Sequence, residues 1–327
     1  MKAVIFDRPG EPEVLKLGEA PEPAVGPRHL LVAVRYAGVN RADLMQRAGS
    51  YPPPPGASEI LGLECAGEVI QVGPGVKDWH VGERVMALLA GGGYAERAAV
   101  DAGSAMRVPA VLSDEEAAAI PEVFLTVFLN VFTLGGVKEG ETVLVHGGGS
   151  GVGTAAIVLL KEAKARVVVT AGSDEKCARC LKLGADAAIN YQRTPAFAQP
   201  VIEATEGRGA DLILDIIGAA YLAQNIEALA RGGRLVLLAL MKGSRAEIDL
   251  GAVHRKHLHL IGSTLRSRPV EEKAEIVSGF VRRFGPALQA GRIRPQLHAV
   301  LPAAQAAEAH RIIARSEHFG KVVLRMA

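Results

Sequence analysis

Cysteine is scarce in this 327-residue chain, which contains only Cys65, Cys177 and Cys180. So few cysteines exclude the disulfide framework that stabilises small secreted proteins. Cys177 and Cys180 have the spacing of a redox pair. They fall inside a predicted helix, however, and not at a helix N-terminus, where the pKa of a thiol is lowered. We therefore assign them no redox role.

An excess of either charge is also lacking. Lys and Arg number 37 and Asp and Glu 35, which gives a formal net charge of +2. This balance, without a long basic run, provides no electrostatic field for nucleic acid, so nucleic acid is not an expected partner. No apolar stretch reaches the ~18 residues of a membrane span. Residues 1 to 5 indicate a strand and not a signal peptide, so we expect a cytoplasmic protein with no membrane partner.

Glycine is frequent, with 37 residues, and it clusters where an apolar run ends. Thr142 to His146 is predicted as a buried strand, followed by a turn and a helix that starts near Gly151. The spacing Gly148-x-x-Gly151-x-Gly153 is a variant of G-x-G-x-x-G. Glycines let the backbone approach a ligand closely, and the free N–H groups of a helix start favour a pyrophosphate. The stretch predicts the first βα turn of a dinucleotide-binding unit; a tight strand-to-helix connection without a ligand is the alternative.

An acidic residue is missing at the end of the next predicted strand, residues 167 to 170. Enzymes that use NAD usually have an Asp or Glu there for the ribose 2′-hydroxyl. This chain has Ala171-Gly172-Ser173, with Lys176 one turn into the following helix. A hydroxyl, a helix N-terminus and an ammonium would attract a 2′-phosphate, so we expect NADPH in preference to NADH. Ser173 taken alone is explained equally by helix capping, and Lys176 by a solvated helix face.

The arrangement of apolar runs divides the chain. Residues 1 to 122 predict many short strands between Pro and Gly clusters, and Ser113 with Glu116 predicts a capping box. Strands and helices alternate over residues 123 to 265, with strands at 143–146, 167–170, 187–191, 212–216, 235–240 and 257–261. This alternation predicts an α/β fold with a doubly wound parallel six-stranded Rossmann sheet. Residues 269–288 and 302–316 are predicted as helices, and 321–325 as a final strand.

Several longer motifs carry a family resemblance: Asn40-Arg41-Ala42-Asp43-Leu44-Met45-Gln46-Arg47, Tyr51-Pro52-Pro53-Pro54-Pro55-Gly56-Ala57-Ser58, Leu61-Gly62-Leu63-Glu64, Met86-Ala87-Leu88-Leu89 followed by Gly91-Gly92-Gly93, Ala119-Ile120-Pro121-Glu122, Ser150-Gly151-Val152-Gly153-Thr154-Ala155-Ala156 and Thr170-Ala171-Gly172-Ser173. With them the whole chain resembles the zinc-free quinone oxidoreductases of the medium-chain dehydrogenase/reductase family. It is most similar to the zeta-crystallin-like subgroup of the tumour-suppressor-inducible NADPH quinone oxidoreductase. The resemblance implies a GroES-like β-rich catalytic domain formed by residues 1–122 and 266–327, beside a dinucleotide-binding domain of residues 123–265.

The resemblance also implies that no metal is bound. Zinc-dependent relatives place a cysteine where this chain has Asn40, and a Gly-His-Glu triplet where it has Leu63-Glu64. His254, His257 and His259 do not compensate, because His257 and His259 are predicted on one strand face with no further ligand. We interpret these three as surface or interface residues.

Site residues follow from the same resemblance. Gly148, Ser150, Gly151 and Val152 would line the pyrophosphate, while Gly172, Ser173, Lys176 and Tyr191 would surround the 2′-phosphate and ribose. Asn40, Thr126 and two segments would hold the nicotinamide half; the segments are Leu240-Met241-Lys242 and Ser263-Thr264-Leu265-Arg266. Thr126 is explained equally as a satisfied helical hydroxyl, and Tyr191 as a strand-end aromatic.

Tyr51 is the best candidate for a substrate contact, since its phenol can donate to an acceptor oxygen and its ring can stack on a planar molecule. A surface residue covering the cleft is the alternative. Asn40 and Ser150 complete the candidate catalytic set, although Ser150 serves either phosphate or substrate. No residue is recognisable as an obligatory general base.

These residues predict an NADPH-dependent quinone oxidoreductase that works without zinc, with its quinone in the cleft between the domains. Two alternatives stay open: an NADPH-dependent reductase of enone or alkenal double bonds, and a zeta-crystallin-like RNA-binding protein. A homodimer is expected, because the last parallel strand of the Rossmann sheet would lie at an exposed edge.

Overall fold

The computed structural model describes residues 1–326 and divides the chain into two compact units. Unit 1 contains Met1–Leu125 together with the residues from Leu265 onward, and unit 2 contains Thr126–Thr264. The ends expected from the sequence, after residue 122 and before residue 266, lie within three residues of these boundaries.

The first part of unit 1 is rich in strands. Its elements are β1 (Lys2–Ile5), β2 (Lys16–Glu19), β3 (His29–Val39), α1 (Arg41–Arg47), β4 (Glu64–Val72), β5 (Arg84–Leu88), β6 (Arg97–Asp101), β7 (Ala105–Arg107), α2 (Asp114–Ala117) and α3 (Pro121–Val127). The predicted capping box begins α2: the N–H of Ser113 donates to Glu116, and the N–H of Glu116 donates to the Ser113 hydroxyl. Single-turn 3₁₀ helices cover Pro12–Val14 and Ala102–Ser104.

Unit 2 follows with alternating strands and helices. After a π-helix at Phe128–Leu134 come β8 (Thr142–His146), α4 (Gly151–Glu162), β9 (Arg166–Ala171), α5 (Asp174–Leu183), β10 (Ala187–Asn190), α6 (Ala198–Ala204), β11 (Ala210–Asp215), α7 (Leu222–Ala228), β12 (Leu229–Leu237), α8 (Leu250–Lys256) and β13 (His259–Gly262). All strand pairs are parallel, in the order β10-β9-β8-β11-β12-β13. The predicted doubly wound six-stranded sheet is therefore confirmed. Its central strand β8 is buried along its whole length, and its middle residues, Val143 to Val145, are apolar because both faces of the strand are covered.

The strand β13 forms one edge of this sheet, as the sequence predicts, and Leu260 on it is 40% exposed. The homodimer expected from this edge stays a prediction. The predicted start of the strand is wrong, because His257 ends α8 in the left-handed conformation with φ 54° and β13 begins only at His259. His257 and His259 therefore do not share a strand face, although both are exposed, as is His254.

The chain then returns to unit 1 with α9 (Val270–Gln289), β14 (Leu297–Pro302), α10 (Ala306–Ala314) and β15 (Lys321–Arg325). The sequence gives no prediction for β14, and the helix predicted from residue 302 begins only after this strand and a 3₁₀ turn at Ala303–Gln305. The seven-stranded sheet has the order β14-β15-β3-β4-β5-β7, with β6 paired to β3. All its pairs are antiparallel except β14 with β15, so the expectation of a mostly antiparallel domain is correct.

Each unit has apolar cores of its own. One core of unit 1 packs α10 against β15, with Tyr94 in its centre, and another lies between β3, β4 and β6. The core of unit 2 joins β8, β11 and β12 to Phe197 and Val201. Within residues 1–326, no helix combines the length and the apolar character needed to cross a membrane.

Candidate active site and cofactor-binding turns

The glycine-rich turn after β8 forms as the sequence predicts. Gly147 adopts φ 72°, and the N–H of Gly148 donates to the carbonyl of Thr170 on the neighbouring strand (2.8 Å). Ser150 caps α4, since its hydroxyl accepts from the N–H of Gly153 at 3.0 Å. Ser150, Gly151 and Val152 are partly exposed. The first turn of α4 therefore presents backbone donors and its positive dipole end to an anionic ligand.

Close packing explains why glycine occupies this turn. A Cβ atom at Gly153 would lie 2.6 Å from the Cα atom of Gly148, and one at Gly148 would lie 2.8 Å from Cβ of Val169 and 3.0 Å from Sγ of Cys180. No side chain fits either place without a shift of the backbone or of a core residue. Burial raises the pKa of the Cys180 thiol to about 12. Cys180 is thus an inert packing residue under the turn, in keeping with the absence of a redox role.

A row of hydrogen-bonded, buried polar side chains, which no sequence motif predicts, lies next to this turn. His146 contacts the Thr170 hydroxyl through Nδ1 (3.0 Å) and Oδ1 of Asn225 through Nε2 (2.7 Å), and the Asn225 amide donates to Asp215 (3.1 Å). Since Asn225 gives its amide protons to Asp215, its Oδ1 must accept, and the proton of the imidazole lies on Nε2. Burial lowers the pKa of His146 to about 4, so the ring is neutral at pH 7. His146 lies on a strand, 79 residues from Asn225 in the sequence, so no local motif indicates that the two side chains are in contact.

The second predicted turn, after β9, brings its residues together. Ser173 caps α5 by accepting from the N–H of Lys176 at 3.2 Å. Gly172 lies against Tyr191 at the end of β10, because a Cβ atom at Gly172 would lie 2.6 Å from the Tyr191 hydroxyl. Gly172, Ser173, Lys176 and Tyr191 thus line one edge of the sheet, and all four are partly exposed. Their contact with a 2′-phosphate stays a prediction.

The residues predicted around the nicotinamide lie in both units. Thr126 is buried in unit 2, and its carbonyl accepts from the Asn130 amide at 2.7 Å. Leu240 and Met241 are 50% and 44% exposed, and Lys242 is exposed too. Ser263 and Thr264 end unit 2, whereas Leu265 and Arg266 are buried in unit 1. The cofactor contacts of these residues stay predictions.

Asn40 belongs to a buried ion-pair cluster with Glu64 and Lys321 in unit 1. The Lys321 ammonium lies 2.6 Å from Oε1 of Glu64, 2.7 Å from Oδ1 of Asn40 and 2.8 Å from the carbonyl of Val39. The Asn40 amide donates to the same Glu64 oxygen at 2.9 Å. Glu64 is 0% and Lys321 3% exposed. The sequence predicts only that Lys321 lies on a strand. Its partners in the cluster are more than 250 positions away, so no local pattern indicates the ion pair.

Asp43 extends this cluster and fixes the loop before β4. It accepts from the N–H groups of Asn40 (2.8 Å) and Gly62 (3.0 Å) and from the Tyr94 hydroxyl (3.2 Å). Burial raises the pKa of Asp43 to about 6, against the opposing effect of these donors and of Lys321. The Asp43 carboxylate thus ties α1, the loop at Gly62 and the Tyr94 ring together.

The cluster does not fit a zinc ion. A zinc site needs anionic or imidazole ligands around an open position, whereas this cluster contains an amide and an ammonium whose three protons are all bonded. Across residues 1–326, no group of three or more His, Cys, Asp or Glu side chains is arranged to hold a metal. The residues of this cluster therefore support no metal-dependent step.

Tyr51 lies on its loop under the guanidinium of Arg266. The Cζ atom of Arg266 is 5.3 Å from the centre of the Tyr51 ring. The same guanidinium donates to the carbonyl of Ala90 (2.9 Å) and to Oε1 of Gln46 (2.6 Å). Burial raises the pKa of the Tyr51 phenol, while the charge of Arg266 opposes this effect. Arg266 therefore helps to orient Tyr51, and its predicted contact with the cofactor stays a prediction.

Comparison with known proteins agrees with this architecture. The sequence profile of the alcohol dehydrogenase GroES-like domain matches residues 26–110. The profile of the zinc-binding dehydrogenase family matches residues 151–280. A solved NAD-dependent alcohol dehydrogenase is 34% identical, with a TM-score of 0.87 and 100% of both chains covered. The chain belongs to the medium-chain dehydrogenase/reductase family. This finding confirms the family part of the resemblance and the GroES-like domain.

Two further proteins to which the chain is similar are informative. The quinone oxidoreductase of Escherichia coli, solved in complex with NADPH, is 28% identical with a TM-score of 0.88, covering 99% of this chain and 100% of its own. The phthioceranic/hydroxyphthioceranic acid synthase of Mycobacterium tuberculosis is 32% identical over 322 residues, 97% of this chain. The chain spans only 15% of that synthase.

Replacing Lys321 by Gln should destabilise unit 1 strongly. The change leaves the buried Glu64 carboxylate without its cation, a loss of about 3–5 kcal/mol in the free energy of unfolding. Lys161→Gln is the control, because Lys161 pairs with Asp186 at 3.0 Å on the surface, where both side chains are partly exposed, and such pairs contribute at most about 1 kcal/mol. Urea unfolding measures both variants. An equal loss in the free energy of unfolding in the two variants would contradict the strong contribution expected of the buried pair.

Gly153→Ala should also destabilise, and it should weaken dinucleotide binding. The added methyl group has no room beside Gly148, and overpacking costs about 1–3 kcal/mol. Gly285→Ala is the matched change in another helix, where a Cβ atom would meet only Cγ1 of Val281 at an ordinary 3.5 Å. That control should lose clearly less stability than Gly153→Ala, because alanine is favoured over glycine in a helix, although the following Pro286 disfavours a Cβ atom at this position. Thermal unfolding, and titration with NADPH followed by its fluorescence, measure the two effects; equal destabilisation by both variants would contradict the packing argument.

Proposed function

We propose that this protein is a zinc-independent NADPH:quinone oxidoreductase. The observation that carries the proposal is the Asn40–Glu64–Lys321 cluster. Asn40 stands where a zinc ligand is expected, and the Lys321 ammonium is bonded to it, so these residues do not suit a Lewis acid that would stabilise an alkoxide. Oxidation of an unactivated alcohol is therefore disfavoured. Reduction of an acceptor that is already electrophilic, such as a quinone, needs mainly positioning and a donor for the oxygen that becomes negative.

The residues of unit 2 fit a dinucleotide. The first turn of α4 offers backbone donors for a pyrophosphate, and Ser150 holds that turn in place. No acidic residue lies at Gly172 or Ser173 between β9 and α5, and Asp174, the first acid of α5, pairs with Arg193. With Lys176 and Tyr191 nearby, this connection suits a 2′-phosphate. When bound, NADPH supplies hydride. The NADPH complex of the Escherichia coli relative supports this choice, whereas the NAD-dependent relative makes a direct test necessary.

Tyr51 is the proposed substrate contact in unit 1. Arg266 lies against one face of its ring, and we expect a planar acceptor at the other face. Burial raises the pKa of the phenol, so the hydroxyl keeps its proton, and the charge of Arg266 opposes this effect and favours donation to an oxygen that gains negative charge. Asn40, whose side chain is bonded to Glu64 and Lys321 at the start of α1, is the proposed partner of a carbonyl or carboxamide.

The first test is a panel of 1,2-naphthoquinone, a monocyclic benzoquinone and an enone, each with NADPH and with NADH. We expect turnover of the quinones with NADPH. Tyr51→Phe should lower kcat about tenfold, the effect of one hydrogen bond to a developing charge. Tyr36→Phe is the control, because the Tyr36 hydroxyl is bonded to Glu115 at another place in unit 1. Turnover of the enone alone would move the function to double-bond reduction.

Ser173→Asp should change the choice between the two cofactors. Aspartate caps a helix as well as serine does, so α5 should stay intact, while the added charge should repel a 2′-phosphate and leave a 2′-hydroxyl acceptable. We expect Kd for NADPH to rise tenfold or more and Kd for NADH to stay equal or fall. Ser113→Asp, the same change at the cap of α2, should alter neither. Equal Kd values for NADPH in the wild type and in Ser173→Asp would refute the proposed 2′-phosphate site.

A further inference from the structure

Glu122 is a partly buried acid that the proposed function has not yet used. It lies in the first turn of α3, and its N–H donates to Oε2 of Glu64 at 2.8 Å. The other oxygen of Glu64 accepts from Lys321 and Asn40. Glu122 therefore adds a third carboxyl group to a region that already contains Glu64 and Asp43.

The cations around Glu122 are bonded to other groups. All three protons of Lys321 are engaged by Val39, Asn40 and Glu64. The Lys273 ammonium, which comes from α9, donates to the carbonyl of Arg266 at 2.7 Å. Arg266 itself donates to Ala90 and Gln46. Oε2 of Glu122 is buried and has no hydrogen-bond partner. A carboxylate in this place would be poorly compensated, whereas a neutral carboxylic acid is tolerated.

The electrostatic balance agrees with this geometry. Burial, and then the negative charge of Glu64, raises the pKa of Glu122 to about 8. Lys321 and Arg266 oppose the shift, and Asp43 adds to it. Glu122 is therefore mostly protonated at neutral pH and can release its proton within the working range of an enzyme.

Glu122 is also coupled to Tyr51. A negative charge on Glu122 raises the pKa of the Tyr51 phenol, whereas Arg266 lowers it. A phenolate at Tyr51 is thus better tolerated while Glu122 is neutral. The charges of Glu122 and Arg266 thus act in opposite directions on the proton of Tyr51.

We propose that Glu122 is the internal acid that replaces the proton which Tyr51 gives to the reduced acceptor. This inference rests on the proposed function. Hydride brings two electrons and one hydrogen nucleus to the acceptor and leaves it one proton short of the neutral product. The O–H bond of Tyr51 breaks, its proton joins the negative oxygen of the acceptor, and the electron pair stays on the tyrosine as phenolate. The O–H bond of Glu122 then breaks, its proton passes to the phenolate through water, and solvent returns one proton to the carboxylate.

The variant Glu122→Gln keeps the shape and neutrality of the side chain but removes the transferable proton. We expect kcat with the quinone to fall about tenfold, with Kd for NADPH unchanged. In the wild type kcat should fall as the pH rises through about 8, where Glu122 loses its proton. This alkaline limb should vanish in Glu122→Gln and persist in Glu122→Asp, and the solvent deuterium isotope effect on kcat should increase in Glu122→Gln.

Glu115→Gln is the matched control. Glu115 is a first-turn glutamate of α2 whose carboxylate pairs with the hydroxyl of Tyr36, so the change removes another carboxyl partner of a tyrosine in unit 1. Its kcat, pH profile and isotope effect should equal those of the wild type. The double variant Tyr51→Phe/Glu122→Gln should be no slower than Tyr51→Phe alone, because Glu122 acts through the tyrosine. An unchanged pH profile in Glu122→Gln, or fully additive losses, would overturn the proposal.

A measurement without turnover separates this inference from the proposed function. Infrared difference spectra between pH 6 and pH 10, recorded on the protein without an acceptor, should show the C=O stretch of a protonated carboxyl group that Glu122→Gln lacks. Absence of a band lost in Glu122→Gln would overturn the inference even if quinones are reduced. If the band is present but no acceptor is turned over, the proposed function and the delivery of the proton fall together, and only the neutral state of Glu122 stands.

Discussion

The buried pair of Lys321 and Glu64 is the interaction on which unit 1 depends. It joins β15, close to the end of the chain, to β4 and, through Asn40, to the start of α1. A buried ion pair offsets its desolvation only when its remaining donors and acceptors are satisfied. Here Val39, Asn40 and the N–H of Glu122 satisfy them. Because the ammonium is bonded to only one of the three acids, Glu64, the cluster controls which carboxyl group is charged and which is neutral.

Charge and chemistry are linked through this cluster. Glu64 holds the cation, Asp43 is satisfied by three donors, and Glu122 is left without a partner for one oxygen. The acid that is least compensated keeps its proton longest, in line with its raised pKa. Arg266, which lies against Tyr51, opposes the effect of burial on the pKa of the phenol. The proposed delivery of a proton to an electrophilic acceptor depends on this distribution of charge.

The structure of unit 2 depends on a simpler constraint, which is the close packing of α4 against β8 and β9. The contact at Gly153 and Gly148 leaves no room for a side chain, and the His146–Thr170–Asn225 chain holds the strand ends that carry the turn. The sequence showed the glycines because they recur within seven positions. It did not show the role of His146. The partners of this histidine come from other strands and helices, and the residues next to it in the sequence are those found in any buried strand.

The alternation of strands and helices in unit 2, the glycine turn, the caps at Ser113 and Ser173, and the family were accessible from the sequence, because each depends on residues close together in the chain or on long motifs. The strand β14 and the left-handed end of α8 at His257 were not, since pairing with β15 and the C-cap override a weak local pattern. The roles of Lys321, Arg266 and Glu122 were decided only by tertiary structure. Protonation depends on burial and on charges brought from distant positions, and no local pattern of residues encodes that sum.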